Sequence, residues 1–305
     1  MLPAGVKPYR PAKGHLIVII AIHLLACLAL LPWLFSWTGV ILCLAGLYFF
    51  GVLGINVCYH RLLTHRGFVC PKWFEHFLAL LGCCNVQDSP ARWVAAHRLH
   101  HQHSDEQADP HSPLVHFIWA HMGWLVVKNG DLWRKSMSER FARDLIRDPF
   151  YVTLDRYQYV PILASWALFF AGGVAAGLLT GGTVGEALQF GASLLVWGCF
   201  LRTVLVWHVT WSVNSVTHMW GYRSYRTNDD SRNNVFVGIA AFGEGWHNNH
   251  HADPGAAKHG HKPWEIDLTY ATVAMFAKLG LASNVVMPNE RLLALRAAHP
   301  AAVKS

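Results

Sequence analysis

The chain has 305 residues, of which only 14% are Asp, Glu, Lys or Arg and 53% are hydrophobic. A typical soluble protein carries roughly 25% charged residues, so this balance argues against an ordinary soluble enzyme and excludes a disordered chain or a nucleic-acid module dense in Lys and Arg. The formal net charge is +7, and the 20 histidines outnumber the 18 acidic residues.

The first 14 residues, MLPAGVKPYRPAKG, are polar and basic. No Asp, Glu, Lys or Arg follows from Gly14 to Tyr59, and only Glu186 interrupts Tyr157 to Leu201. Each stretch is long enough to cross a ~30 Å bilayer twice at ~20 residues per helix. Four spans are expected, at about 16–35, 40–59, 160–179 and 188–207. The first apolar run is too long for a signal-peptide core and reads as a retained membrane helix. Short turns without Lys or Arg join spans one and two, and spans three and four, which suggests two helical hairpins. Every other Lys and Arg precedes span one, lies between spans two and three, or falls in span four and beyond. The positive-inside rule then puts both termini and the long middle segment in the cytoplasm. Trp33, Trp37, Trp207 and Trp211 fall near the expected interfaces, as an aromatic belt would. The apolar stretch from Trp73 to Val86 is too short to span and reads as an interfacial or re-entrant helix. The seven cysteines form no C-x-x-C pair and read as free thiols that pack in a reducing compartment. No repeat, second domain, cytochrome module or flavin module is visible. The expected architecture is one all-α membrane domain over residues 1–305, with a cytoplasmic helical cap at about 60–159 and 208–305.

Each expected cytoplasmic exit leads into histidines. Span two ends in His60-Arg-Leu-Leu-Thr-His65, and His97-Arg-Leu-His100-His101 follows. After span four come Asn214-Ser-Val-Thr-His218 and Glu244-Gly-Trp-His247-Asn-Asn-His250-His251. On a helix, positions i, i+3 and i+4 share a face, so His97, His100 and His101 can converge, and His247, His250 and His251 repeat the pattern. His60 and His65 need a bent or terminal turn to aim the same way. Nine imidazoles exceed one tetrahedral ion and imply two metals, but imidazole suits Fe, Zn, Cu and Ni alike. Acidic neighbours Asp105, Asp109 and Glu244 could orient the ring N–H groups, or serve as ordinary loop carboxylates. The other eleven histidines, among them His15, His23, His111, His121, His208, His259 and His299, read as ordinary core or surface residues. No H-E-x-x-H occurs, so a zinc protease is unsupported.

These residues resemble the integral-membrane fatty acyl desaturases, the group that includes stearoyl-CoA desaturase, over about residues 40–285. The resemblance rests on HRLLTH, HRLHH followed by SDEQADPHSP, HMGWL, NSVTH with GYRSY, and GEGWHNNHH followed by WEIDLT. It implies a di-iron centre held by His60, His65, His97, His100, His101, His218, His247, His250 and His251, with Asn214 holding a water. Zinc could replace iron in purified samples. The resemblance also implies a bent acyl tunnel lined by Gln87, Trp93, Thr210 and Trp211, with Trp124 in the GWL motif. The implied reaction is O2-dependent insertion of a cis double bond near carbon nine, with electrons from an external ferredoxin, rubredoxin or cytochrome b5 and its reductase. Animal members contact the CoA head through an Arg-Asp pair where this chain has Ala95-Ala96, and through an Arg-Lys pair where it has Lys128-Asn129. Lys128 is the remaining head-group candidate, and acyl-CoA, acyl carrier protein, a membrane lipid or a free acid all stay open as carrier. A hydroxylase or decarboxylase uses related histidine boxes. A non-enzymatic metal binder or transporter would need a polar path through the spans, for which only His23 and Glu186 are available. A b-type haem carrier would need paired histidines inside the bilayer.

Overall fold

A computed structural model describes residues 2–132 and 135–297; His299 lies outside them. The architecture is all-helical, with isolated bridges but no strand among the described residues. Helices α1 (Lys13–Leu30) and α2 (Trp37–Thr64) are followed by α3 (Lys72–Cys83), α4 (Pro90–His103) and α5 (Pro149–Arg156). Then come α6 (Tyr159–Leu179), α7 (Val184–His218), α8 (His247–Ala252) and α9 (Leu268–Lys278). Four of them, α1, α2, α6 and α7, are long and apolar enough to cross a membrane.

The two helices that carry histidines are longer than the hydropathy pattern suggests. Instead of stopping near 59 and 207, α2 runs 28 residues to Thr64 and α7 runs 35 residues to His218. At ~1.5 Å per residue they reach up to ~42 and ~52 Å, well beyond a ~30 Å hydrocarbon core. The expectation failed because it stopped at the first polar residues. Arg61 continues α2 because it is buried with its donors satisfied, and α7, which already holds the buried Arg202 within the expected span, continues past His208 to His218. Both helices also contain wide i→i+5 turns, at Leu47–Thr64 and Val196–Leu201.

Helix caps account for other features. The Ser36 hydroxyl accepts from the Gly39 N–H at 3.0 Å and starts α2. Glu186, the single charge in the second apolar stretch, accepts from the Thr183 N–H at 2.8 Å and hydroxyl at 2.7 Å. It is half of a capping box at the start of α7 rather than part of a path through the bilayer. Between α6 and α7 the backbones come close at small residues, Gly173 facing Gly191 and Gly177 facing Ala187. Helices α1 and α2 instead each pack against α7.

The four interfacial tryptophans divide. Trp33 and Trp37 are 63% and 73% exposed, but Trp207 and Trp211 are only 2% and 4% exposed. The latter two sit on the inner face of α7, and the Trp207 indole N–H donates to the Asn85 carbonyl at 2.7 Å. All seven cysteines are free and six are buried. Burial pushes the Cys70 and Cys83 thiols up to about 12.

Helix α3 buries Phe74, Leu78, Ala79 and Gly82 and packs along α2. Contact is closest at Gly54, where a methyl group would stand 2.5 Å from the Gly82 backbone nitrogen. A Gly54→Ala substitution is therefore expected to force the two helices apart. The cost should be about 1–3 kcal/mol, read as a lower unfolding midpoint of the detergent-solubilised protein.

Candidate metal centre

The nine boxed histidines meet on one side of the helices, but not at two points defined by the two triplets. His60, His65, His97, His101 and His250 offer ring nitrogens within 4.8 Å of one another, and His100, His218, His247 and His251 form a second such group. Each triplet is split between the groups. From α4, the i, i+4 pair His97 and His101 serves the first group and His100 the second. From α8, the i, i+4 pair His247 and His251 serves the second and His250 the first. Helix geometry explains the exchange. Residues four apart are ~40° apart around the axis, whereas adjacent residues are ~100° apart, so His100 and His101 cannot aim at the same point.

The wide winding of α2 solves the His60–His65 spacing. The His65 N–H donates to the His60 carbonyl at 3.2 Å, an i→i+5 bond that closes a larger turn. The two rings then lie 4.8 Å apart.

Four carboxylates fix the inner imidazoles. The Nδ1 atom of His60 lies 2.6 Å from Glu244, that of His100 2.9 Å from Asp109, that of His218 2.9 Å from Asp105 and that of His251 2.7 Å from Asp229. With each Nδ1–H donated outward, the Nε2 lone pair is left pointing inward. Asp105 has a left-handed backbone (φ 62°) and also accepts from the Asp230 N–H at 2.7 Å. Glu244 is held from behind by Arg61, whose guanidinium reaches it at 2.8 and 3.0 Å and reaches Asp267 at 3.0 Å. Against the penalty of burial, Arg61 and His60 keep Glu244 well below the usual carboxylate range, and His100 and His111 do the same for Asp109. Burial, reinforced by neighbouring imidazoles, drives His65, His97, His101, His247 and His250 well below the ordinary histidine value. Burial takes His251 down to about 4 despite Asp229.

These groups fit metal ions. Buried Nε2 atoms of His65, His100 and His251 have no hydrogen-bond partner, which is costly for a polar atom unless something else binds it. Others approach at 3.0–3.2 Å, as in His60–His250, His97–His101, His101–His250 and His218–His247. Ligand nitrogens ~2.1 Å from a shared ion stand ~3.0–3.4 Å apart. Burial also favours the neutral form of His65, His97, His101, His247, His250 and His251, the form that ligation requires.

Several partners escaped the sequence reading. Asp229 carries no motif and lies 22 residues before His251; one unpaired Nδ1–H among the ligand candidates was its only signal. By sequence alone His111 and His259 read as ordinary histidines. Both are buried beside the centre, with His111 3.6 Å from Asp109 and His259 3.4 Å from Glu244. Burial lowers them to about 3 and about 4.

A cavity of about 910 Å³ reaches the first group at His60 and His97 and is also lined by Asn214, His111 and Glu244. Gln87, Trp93, Trp124, Thr210 and Trp211 all line it. Gln87 donates to the Thr210 hydroxyl at 3.2 Å, and Trp93 stacks on His97 with centroids 5.0 Å apart. Asn214 lies one helical turn before His218 on α7. Lys128 lies outside this cavity and lines a smaller neighbouring hollow of about 440 Å³. The resemblance implies Lys128 at the head group; there residues 126–128 pair with residues 10–12, which sets it beside Arg10 and Lys13 around a hollow that borders the large cavity at Gly14 and His15.

Fold and site together define a class: a membrane-spanning helical protein with two grouped histidine sites above an apolar cavity. The family model "Fatty acid desaturase" matches residues 31–265. The chain is 41% identical over 273 residues to the sn-1 stearoyl-lipid 9-desaturase of Anabaena variabilis, covering 89% of this chain and 93% of that one. It is 40% identical over 265 residues to the sn-2 palmitoyl-lipid 9-desaturase of Nostoc sp. (strain 36), covering 87% and 86%. It is 38% identical over 276 residues to the icosanoyl-CoA 5-desaturase of Limnanthes douglasii, covering 90% and 72%. The chain belongs to the fatty acid desaturase family.

Proposed function

We propose that this protein is a di-iron, O2-dependent acyl-lipid desaturase that inserts a cis double bond near carbon nine of a saturated chain. Its termini and histidine centre face the cytoplasm, in line with the basic residues flanking the spans. The observation that carries this reading is the largely apolar cavity, which runs from exposed residues such as Tyr159 to His60 and His97 of the first group and to Asn214, one turn before His218 of the second. Relatives named as stearoyl-lipid and palmitoyl-lipid 9-desaturases support the choice of carrier and position.

In this reading, His60, His65, His97, His101 and His250 hold one iron. His100, His218, His247 and His251 hold the other, with Asn214 acting through a water. Two irons supply the oxidising strength from O2 that an unactivated methylene demands. The protein positions and shields. Trp93, packed on His97, holds the chain near the first group, and the Gln87–Thr210 hydrogen bond fixes two further side chains of the cavity wall. Holding two adjacent methylenes in one eclipsed arrangement sets both the position and the cis geometry of the alkene. The balance needs one O2, two electrons, two protons and two hydrogens from the chain, and yields two waters. The electrons come from a separate donor of the ferredoxin, rubredoxin or cytochrome b5 type docking on the basic face. Glu244, Asp109, Asp105 and Asp229 keep the Nδ1 protons in place throughout.

Expression in a desaturase-deficient host, followed by double-bond mapping of its lipids, tests the reading. An internal cis alkene of unchanged carbon number is expected, and His97→Ala and His250→Ala should each abolish it while the protein still accumulates in the membrane. A hydroxy acid or a shortened terminal alkene would refute it.

A further inference from the structure

The large cavity opens where two spans begin. Val18 on the first turns of α1 and Tyr159 at the start of α6 line it, yet are 42% and 53% exposed. Val152 on α5 does the same. Exposed apolar side chains at the head of membrane spans meet lipid rather than water. The mouth is therefore a slot between α1 and α6 at the bilayer surface. A chain still esterified to a lipid can slide through it sideways.

Charge around the slot is divided. Three carboxylates, Asp88, Glu139 and Asp155, line the cavity with a single arginine, Arg92. Arg92 is already engaged, with Nε 3.0 Å from Asp155 and Nη1 3.6 Å from Asp88; the Ser89 hydroxyl also donates to Asp155, and His15, which lines both hollows, lies 3.8 Å from Asp88. On the other side, Arg10, Lys13 and Lys128 surround the smaller hollow, which shares Gly14 and His15 with the large cavity and has no carboxylate in its wall. The backbone sets this cluster, since the Lys128 N–H donates to the Arg10 carbonyl at 2.8 Å and the Ala12 N–H to the Val126 carbonyl at 2.8 Å. Lys13 stands in the first turn of α1, where the helix dipole opposes a cation, so helix stability does not account for it.

We infer that the mouth selects a zwitterionic glycerophospholipid. Its phosphate sits in the Arg10–Lys13–Lys128 hollow, its ammonium faces the Asp88–Asp155–Glu139 edge, and its acyl chain passes through the α1–α6 slot toward His97. A CoA thioester would bring several phosphates against the carboxylate edge, a repulsive pairing that lowers its affinity. Ala95 and Ala96 in the cavity wall offer it no cation. An anionic lipid without an ammonium adds to the excess negative charge of three carboxylates against the single Arg92. This inference rests on the desaturase reading and names the carrier within it.

A pulse of deuterated stearate separates the two ideas. The host is a desaturase-deficient bacterium that holds both phosphatidylethanolamine and phosphatidylglycerol. Lipid classes and acyl thioesters are resolved by mass spectrometry at early times. Labelled alkene is expected first in phosphatidylethanolamine, about tenfold above phosphatidylglycerol and above either thioester pool, the ratio that one unmatched charge pair produces. The Asp155→Asn, Glu139→Gln double variant should bring the two phospholipids toward equal labelling while product still forms. Lys13→Glu with Lys128→Glu should slow both about tenfold at unchanged metal content. Labelled alkene appearing first in CoA or acyl-carrier thioesters overturns the inference, as does a phospholipid ratio that ignores the acidic-edge variant. If no pool gains an alkene, the desaturase reading itself falls.

Discussion

Replacing Arg61 by leucine is expected to collapse the wall behind the first histidine group. Arg61 is 1% exposed on α2 and donates to Glu244, to Asp267 and to the Ala257 carbonyl at 2.6 Å. Leucine fills much of the volume but leaves two buried carboxylates without a counter-charge. Breaking such a buried network costs about 3–5 kcal/mol, a large share of a typical ~5–15 kcal/mol net stability. The damage is directed as well as global. Glu244 fixes His60 at 2.6 Å, and Asp267 caps α9 through the Tyr270 N–H at 2.8 Å while accepting the His259 N–H at 2.7 Å. The variant should show a sharply lower unfolding midpoint and should lose metal from the first group. Arg61→Lys should fall between, because an ammonium cannot reproduce the forked contact to Glu244. An Arg61→Leu protein with native stability and full metal content would show that this network holds nothing.

The second large effect concerns two neighbours in the chain. His100 and His101 are adjacent on α4 yet belong to different groups. His100→Ala and His101→Ala should therefore deplete different ions, each leaving about half of the bound metal, and the double variant should leave almost none. Removing one buried ligand forfeits most of the affinity of its own ion, since even outer partners of ligands are worth about 10–100-fold in affinity. Total metal per chain by elemental analysis reads the result. If both histidines served one ion, the double variant would match the single ones. Asp229→Asn is a milder companion, because it disturbs only the proton that orients His251.

How much of this was legible follows residue by residue. The two apolar stretches are plain in the sequence because crossing a bilayer demands length and an absence of charge, both one-dimensional properties. The histidines at i, i+3 and i+4 were visible for the same reason, since helical periodicity is local. Where α2 ends was not visible. Arg61 looks like a stop signal until its carboxylate partners arrive from 183 and 206 residues away. Trp207 and Trp211 look like belt residues because their depth along α7 is readable, whereas the direction they face depends on what α7 packs against.

The sequence alone determined a four-span membrane protein rich in grouped histidines, and its motifs carried the resemblance to a desaturase. Only the tertiary structure decided how nine imidazoles divide into five and four, which carboxylate holds which ring, and that Asp229, His111 and His259 belong beside them. It also decided that Lys128 joins Arg10 and Lys13 around a hollow that borders the large cavity at Gly14 and His15. Spacing fixes the angle between side chains on one helix. Which ring shares a point with a ring on another helix depends on how α2, α4, α7 and α8 cross, and those crossings are set by contacts between residues far apart in the chain.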